Sequence, residues 1–209
     1  MGVRAILFDA DGVIQGPAPN FHDQLREVFG LAQDQTDAFL HSVVSPAERR
    51  ALTGERDFAK ELAVELAHRN KAAPNPEALH VFTAIEVFSD IVDLIGLLRA
   101  SGTPCYLASN QVPFRARYMS EFLGYRTVFD REFYSCDLAF AKPDTQFFRA
   151  VLEKISYAPG EALFIDDREE NVAAAAEVGL LAALFVAKSS ARPRECMLEL
   201  LSRHGLQLS

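Results

Sequence analysis

Three pairs of polar residues stand where short apolar runs stop: Asp9 and Asp11 after Ala5 to Phe8, Ser109 and Asn110 after Cys105 to Ala108, and Asp166 and Asp167 after Leu163 to Ile165. Buried parallel strands read as such apolar runs, and open α/β sheets bind ligands just beyond the carboxyl ends of their strands. The spacing therefore predicts that these side chains converge. Lys142, in Ala141-Lys142-Pro143-Asp144, is the cation to join them, because Pro143 fixes the chain direction ahead of a helix beginning at Asp144 or Thr145. Four carboxylates against one lysine leave a cluster of net charge −3. In a partly desolvated crevice each unpaired charge costs on the order of several kcal/mol, or is neutralised through a shifted pKa. A divalent cation resolves the imbalance. The donors are all oxygens, without a Cys or His set, which indicates Mg²⁺ rather than zinc; Mg²⁺ binds through a few carboxylates, waters and substrate phosphate. Phosphoryl chemistry is the expectation.

Other reactive residue types fall outside this pattern. Gln111 and Arg115 follow the second pair, and their positions fit a substrate contact and an exposed helix face equally well. His22, His41, His68, His80 and His204 show no His-x3-His spacing and read as surface or satisfied positions. No GxxxxGK[ST], GxGxxG or GxSxG pattern occurs, which argues against nucleoside triphosphate hydrolysis, dinucleotide redox chemistry and serine catalysis of the α/β-hydrolase kind.

The elements that must position the acidic residues follow from periodicity. A fourth strand-like run, Ala182 to Val186, joins the three above, and helical spacing separates them: Ile91, Leu94, Ile95 and Leu98 ending at Gly102, then Phe147, Phe148, Val151 and Leu152. Alternating strands and helices predict an α/β fold, a doubly wound parallel sheet covered on both faces. From Gly16 to Val87 the pattern changes. After the turn Gly16-Pro17-Ala18-Pro19 come helical stripes, Phe21, Leu25, Val28 and Phe29 and then Phe58, Leu62 and Leu66, with no convincing strand and with Asn75-Pro76 opening a last helix. The expected organisation is a core of residues 1–15 and 88–209 and a helical insertion of residues 16–87. The phenylalanine rings of that insertion are expected to pack its own bundle.

At 209 residues, 49% hydrophobic and 24% charged, the chain has the composition of an ordinary folded protein. A net charge of −8 opposes a nucleic-acid or anionic-membrane surface, so an anionic substrate must be met locally. Cys105, Cys136 and Cys196 show neither pairing nor ligand spacing, which suits a reduced, cytoplasmic setting. The longest apolar run, Gly179 to Ala187, falls short of the roughly 20 residues of a membrane helix, and the few apolar residues before Asp9 are too short for a signal segment.

Asp9-Ala10-Asp11-Gly12-Val13, Ser109-Asn110, Lys142-Pro143, and Asp166-Asp167 with Glu170-Asn171 resemble the four ordered motifs of the haloacid dehalogenase superfamily, and the insertion lies where that family carries a cap. Ser109-Asn110 and Asp166-Asp167-x-x-Glu170-Asn171 are similar to the branch containing bacterial sugar-phosphate phosphatases and the N-terminal phosphatase domain of soluble epoxide hydrolase. The resemblance implies a Rossmann-like core and a Mg²⁺-dependent phosphatase acting on a small phosphorylated metabolite such as a sugar phosphate. Asp9 would be the nucleophile and a metal ligand. Asp11 would be the acid and base, its backbone carbonyl also on the metal. Gly12 would let the backbone turn beneath the phosphate. Ser109 and Lys142 would hold the transferring phosphoryl group. Asp167 would ligate the metal directly, with Asp166 paired to Lys142 or to a metal-bound water, and that order could be reversed. Asn110, beside the substrate, and Asn171 would orient loops. A phosphomutase or a dehalogenase on the same scaffold, and a non-catalytic phosphate-binding protein, remain alternatives; Asp11 argues against the dehalogenase. The oligomeric state is not written in the sequence.

Overall fold

The computed structural model describes residues 2–73, 75–189 and 191–206. Seven strands are present among them: β1 (Ala5–Phe8), β2 (Gln15–Pro17), β3 (Ile85–Val87), β4 (Cys105–Ser109), β5 (Arg131–Tyr134), β6 (Ala162–Asp166) and β7 (Leu181–Leu184). Five of these form one parallel sheet in the order β5-β4-β1-β6-β7. The chain runs outward from β1 through β4 to β5, then returns to the other side of β1 for β6 and β7. The strand order thus switches at β1, the position where open α/β sheets gather ligand-binding loops.

Period-2 alternation explains the two-sided core. Ile6 and Phe8 join one buried cluster with Leu163 and Ile165, while Ala5 and Leu7 join another with Ala162 and Phe164. Over the first face lie α5 (Ser89–Ala100), α6 (Pro113–Glu121), α7 (Tyr125–Val128) and the C-terminal helix; over the second lie α9 (Thr145–Leu152) and α10 (Glu169–Glu177). The short α8 (Ser135–Leu138) follows β5, and α11 (Pro193–Arg203) is the C-terminal helix. The sheet is therefore doubly wound, as the alternating pattern predicts.

Between β2 and β3 lies a helical unit. It comprises α1 (Phe21–Phe29), α2 (Thr36–Phe39), a π-helical stretch Leu40–Val44, α3 (Ser45–Ala51), α4 (Phe58–Ala67) and a 3₁₀ segment Pro76–Thr83 opened by Asn75. Leu25, Phe39, Ala47, Phe58, Leu62, Leu66 and Phe82 form its own buried core, to which Val112 of the sheet domain is added. Arg50 ties α3 to α4 through Glu61 at 2.5 Å and Glu65 at 2.7 Å.

Three details differ from the sequence expectations. The neck of the insertion is a two-stranded antiparallel ribbon, with Gln15 opposite Val87 and Pro17 opposite Ile85, where no strand was expected. Its strands are three residues long and include a proline, so they carry no alternation to read. β5 was also absent from the expectations: Arg131-Glu132-Phe133-Tyr134 is an edge strand with polar residues at its start. The expected run Ala182 to Val186 is a strand over Leu181–Leu184.

Candidate active site

β1, β4 and β6 end side by side, so Asp9, Ser109 and Asp166 lie at one edge of the sheet. Phe8 pairs with Leu107 and with Ile165, which fixes that register. Lys142 enters from the turn before α9, whose first turn is capped by the Asp144 carboxylate accepting from the Gln146 amide at 2.9 Å. The turn is held by Asn110: its side-chain amide donates to the Lys142 carbonyl and its oxygen accepts from the Lys142 amide, both at 2.8 Å. Both ends of the Asn110 amide are thus occupied by the Lys142 backbone.

The Lys142 ammonium is 1% exposed and donates three hydrogen bonds, to Asp9 Oδ1 at 2.8 Å, Asp166 Oδ2 at 2.7 Å and the Ala108 carbonyl at 2.9 Å. Three donors meet three acceptors, so the ammonium is fully satisfied. Burial works against its charge, but the two carboxylates outweigh burial and raise its pKa. Asp166 is fully buried. Its Oδ1 also accepts from the Arg168 amide at 2.9 Å, and Asn171 on α10 donates to both of its oxygens at 3.0 and 3.1 Å. Asn171 therefore orients Asp166, and Asp166 is the lysine-paired member of its pair. Asp9 is different: burial, reinforced by Asp166 and only partly offset by Lys142, pushes its carboxyl up to about 7.

Oxygens of Asp9, Asp166 and Asp167 lie within 4.8 Å of one another. Burial raises the Asp167 carboxyl as well, and Asp166 adds to the rise. Asp167 leans over Gly12, which has φ +89°; a Cβ there would stand 2.1 Å from Asp167 Oδ2. Only glycine lets the two loops meet so closely. Ser109 is buried at the tip of β4.

Asp11 stands apart from this cluster, in a network only partly visible in the sequence. Arg115 on α6 donates to Asp11 Oδ1 and Oδ2, each at 2.9 Å, and its Nε donates to the Phe82 carbonyl of the helical unit. Gln15 donates to Oδ1 at 2.9 Å and Gln111 to Oδ2 at 2.7 Å, while the Tyr125 hydroxyl donates to Gln15 at 2.9 Å. Burial raises the Asp11 carboxyl, but the Arg115 charge and these hydrogen bonds overcome it and leave it below the ordinary carboxylate range. Gln111 is fully buried and Arg115 is tied to Asp11, so neither lies on the exposed helix face that was one reading of them. Gln15 and Tyr125 were not anticipated. The available signal was the four-residue spacing of Asp11 to Gln15 and of Gln111 to Arg115, the latter entering α6. None of the five histidines belongs to either network.

The model of the haloacid dehalogenase-like hydrolase family matches residues 3–179. Among curated proteins, the mouse acyl-CoA dehydrogenase family member 10 is 29% identical over 189 residues, 85% of this chain and 17% of its own length. A sesquiterpene phosphatase of Aspergillus oryzae is 32% identical over 92 residues, covering 44% of this chain and 46% of the relative. The phosphoglycolate phosphatase of Rhodospirillum rubrum is 27% identical over 195 residues, covering 85% and 77%. The chain thus spans less than a fifth of the first of these relatives and under half of the second. Among solved structures, a HAD family enzyme of Bacteroides thetaiotaomicron superposes with TM-score 0.74 at 20% identity over 92% of this chain and 98% of its own. That enzyme is also known as a magnesium complex, TM-score 0.70. The L-2-haloacid dehalogenase of Xanthobacter autotrophicus with covalently bound chloropropionic acid gives 0.70 at 18% identity over 97% and 84%. At these identities the likeness is one of fold.

Proposed function

The chain belongs to the haloacid dehalogenase-like hydrolases, and within that family we propose that it is a Mg²⁺-dependent phosphatase of small phosphate monoesters. The observation that carries this reading is the buried Lys142 shared by Asp9 and Asp166, with Asp167 beside them. The donor set fits Mg²⁺: all oxygens, convergent within 4.8 Å, in a space that Gly12 keeps open. Asp9 and Asp167 would hold the ion, with the Asp11 backbone carbonyl. Asp166, whose oxygens already meet Lys142, Asn171 and the Arg168 amide, would stay outside the direct ligand set. When bound, the ion supplies a Lewis acid that stabilises charge on the phosphoryl oxygens.

Asp9 attacks phosphorus; its new O–P bond forms as the bond to the leaving alkoxide breaks, giving an aspartyl phosphate. Asp11 gives its proton to the leaving oxygen, then takes one from the water that attacks the aspartyl phosphate, releasing phosphate and restoring Asp9. Lys142 and Ser109 face the charge that develops on the phosphoryl group. Among the relatives, the phosphoglycolate and sesquiterpene phosphatases are phosphatases by name, which supports this reading. The chain's three cysteines, Cys105, Cys136 and Cys196, suit a reduced, cytoplasmic setting as part of it.

One observation favours a second reading. Arg115 grips both oxygens of Asp11, and a carboxylate so held is a poor proton donor. A dehalogenase, in which Asp9 would displace halide from carbon, needs no such donor and no metal. The test measures phosphate release from a panel of monoesters, and chloride release from 2-chloropropionate, with Mg²⁺ and with EDTA, for wild type and Asp9→Asn. The phosphatase reading expects phosphate release that EDTA abolishes and that Asp9→Asn lowers on the order of 10⁴-fold or more. Chloride release that survives EDTA overturns it in favour of the dehalogenase.

A further inference from the structure

Between the helical unit and the sheet domain lies a cavity of about 240 Å³ that opens onto Asp11 and Arg115. Its walls are Phe21, Leu40, Val44, Phe58 and Phe82 from the helical unit and Phe114 from α6. Phe58 stands 5.2 Å from Phe82, edge to face, and 5.7 Å from Phe114, so the rings form one continuous surface across the two parts of the chain. The expectation that these rings pack the bundle holds for Phe58 and Phe82, which are buried, yet the same rings line the cavity.

The polar groups at the cavity are few, and Asp11 and Arg115 are engaged with each other. Arg115 commits its donors to Asp11, Gln111 and the Phe82 carbonyl, and Glu48 lies in the field of Arg115. Apart from these, Ser45 alone among the lining side chains offers a hydroxyl. A sugar bound here would bring several hydroxyls into a site where only the Ser45 and Glu48 side chains stand outside the Asp11–Arg115 pair to meet them, and each unmatched hydroxyl is a penalty. In the proposed phosphatase the acid must touch the leaving oxygen, so the leaving group lies on the Asp11 side of the phosphorus. The Asp11 side is this cavity. Resting on the phosphatase reading, we infer that the substrate is the phosphate monoester of a short apolar alcohol, whose hydrocarbon fills the cavity between the helical unit and the sheet. The volume falls below the roughly 300–1,000 Å³ of pockets for drug-sized ligands, which limits the chain to a short one.

The experiment compares kcat/KM, with Mg²⁺, for acetyl phosphate, linear alkyl phosphates from ethyl to pentyl, glucose 6-phosphate and phosphocholine. Acetyl phosphate has a good leaving group and no hydrocarbon chain, so it reports on the phosphatase chemistry alone. The alkyl series should climb about four-fold per methylene, and pentyl phosphate should exceed glucose 6-phosphate by at least about 100-fold. Leu40→Gln should lower the ratio of pentyl phosphate to acetyl phosphate turnover about ten-fold. Hydrolysis of acetyl phosphate with a flat alkyl series, or with glucose 6-phosphate or phosphocholine preferred, overturns the apolar-substrate inference and leaves the phosphatase reading standing. No hydrolysis of any compound, acetyl phosphate included, overturns both.

Discussion

Arg115 holds the Asp11 carboxylate in a two-pronged grip, one nitrogen on each oxygen at 2.9 Å, and the same guanidinium reaches the Phe82 carbonyl of the helical unit. The grip favours the ionised acid, since an opposite charge at this range lowers a carboxyl pKa by about 1–3 units. Alkyl phosphates need a proton on the leaving oxygen, so their kcat/KM should fall about ten-fold per pH unit above the Asp11 pKa. Removing the cation in Arg115→Gln should move that alkaline limb up by about 1–3 pH units. Arg115→Lys, which keeps a charge but loses the fork, should fall between. An aryl phosphate, whose leaving group needs no proton, should show no such displacement; pH profiles of the three proteins on both substrates check this.

Metal binding should be proton-coupled through Asp9. Burial pushes its carboxyl up to about 7, so below that pH the metal-free site holds a proton that Mg²⁺ must displace. The apparent Kd for Mg²⁺ should therefore rise about ten-fold for each pH unit below 7 and level off above it. Calorimetry in two buffers of different ionisation enthalpy measures the proton directly: close to one released at pH 6, close to none at pH 8.5. A Kd independent of pH would mean that Asp9 is ionised before the metal arrives.

The strands that carry Asp9, Ser109 and Asp166 were legible because they are buried on both faces, and so read as unbroken apolar runs with a polar residue at the end. Lys142 could be joined to them because only a cation balances that many acids. Gln15, Gln111, Arg115 and Tyr125 were harder to see. Each is polar or amphipathic in a segment without strong periodicity, and what makes it part of the site is a partner up to 110 residues away. The β2–β3 ribbon was invisible for a related reason: its strands are held by pairing across 71 intervening residues, with Gln15 opposite Val87, and by no pattern of their own.

Lys142→Met should cost about 3–5 kcal/mol of stability, because it leaves Asp9 and Asp166 facing each other in the core without their shared cation. The loss should depend on pH. A buried acid whose folded pKa lies above its unfolded value binds more protons when folded, so stability falls as pH rises from the unfolded value through the folded one. The variant should therefore be nearest to wild type around pH 4–5 and furthest from it around pH 8. Urea denaturation at the two pH values measures this. Adding Asp166→Asn should recover part of the loss at pH 8, since it removes one of the two opposed charges.

Gly54, in the loop between α3 and α4, has φ +76° and lies against the backbone of the sheet domain, where a Cβ would come within 2.4 Å of the Cys136 carbonyl oxygen. Unlike a flexible side chain, that carbonyl cannot move aside without disturbing α8, which begins at Ser135. Gly54→Ala should therefore lose about 1–2 kcal/mol from the left-handed backbone alone. It should also lift the loop of the helical unit off the sheet domain. The cavity beside Asp11 is walled from both parts, so its fit to the leaving group should loosen while Asp9 and Lys142 stay in place. The expected signature is a raised KM for alkyl phosphates with a smaller change in KM for acetyl phosphate, alongside a lowered Tm. Equal changes for both substrates would mean that the contact at Cys136 serves stability and has no part in shaping the site.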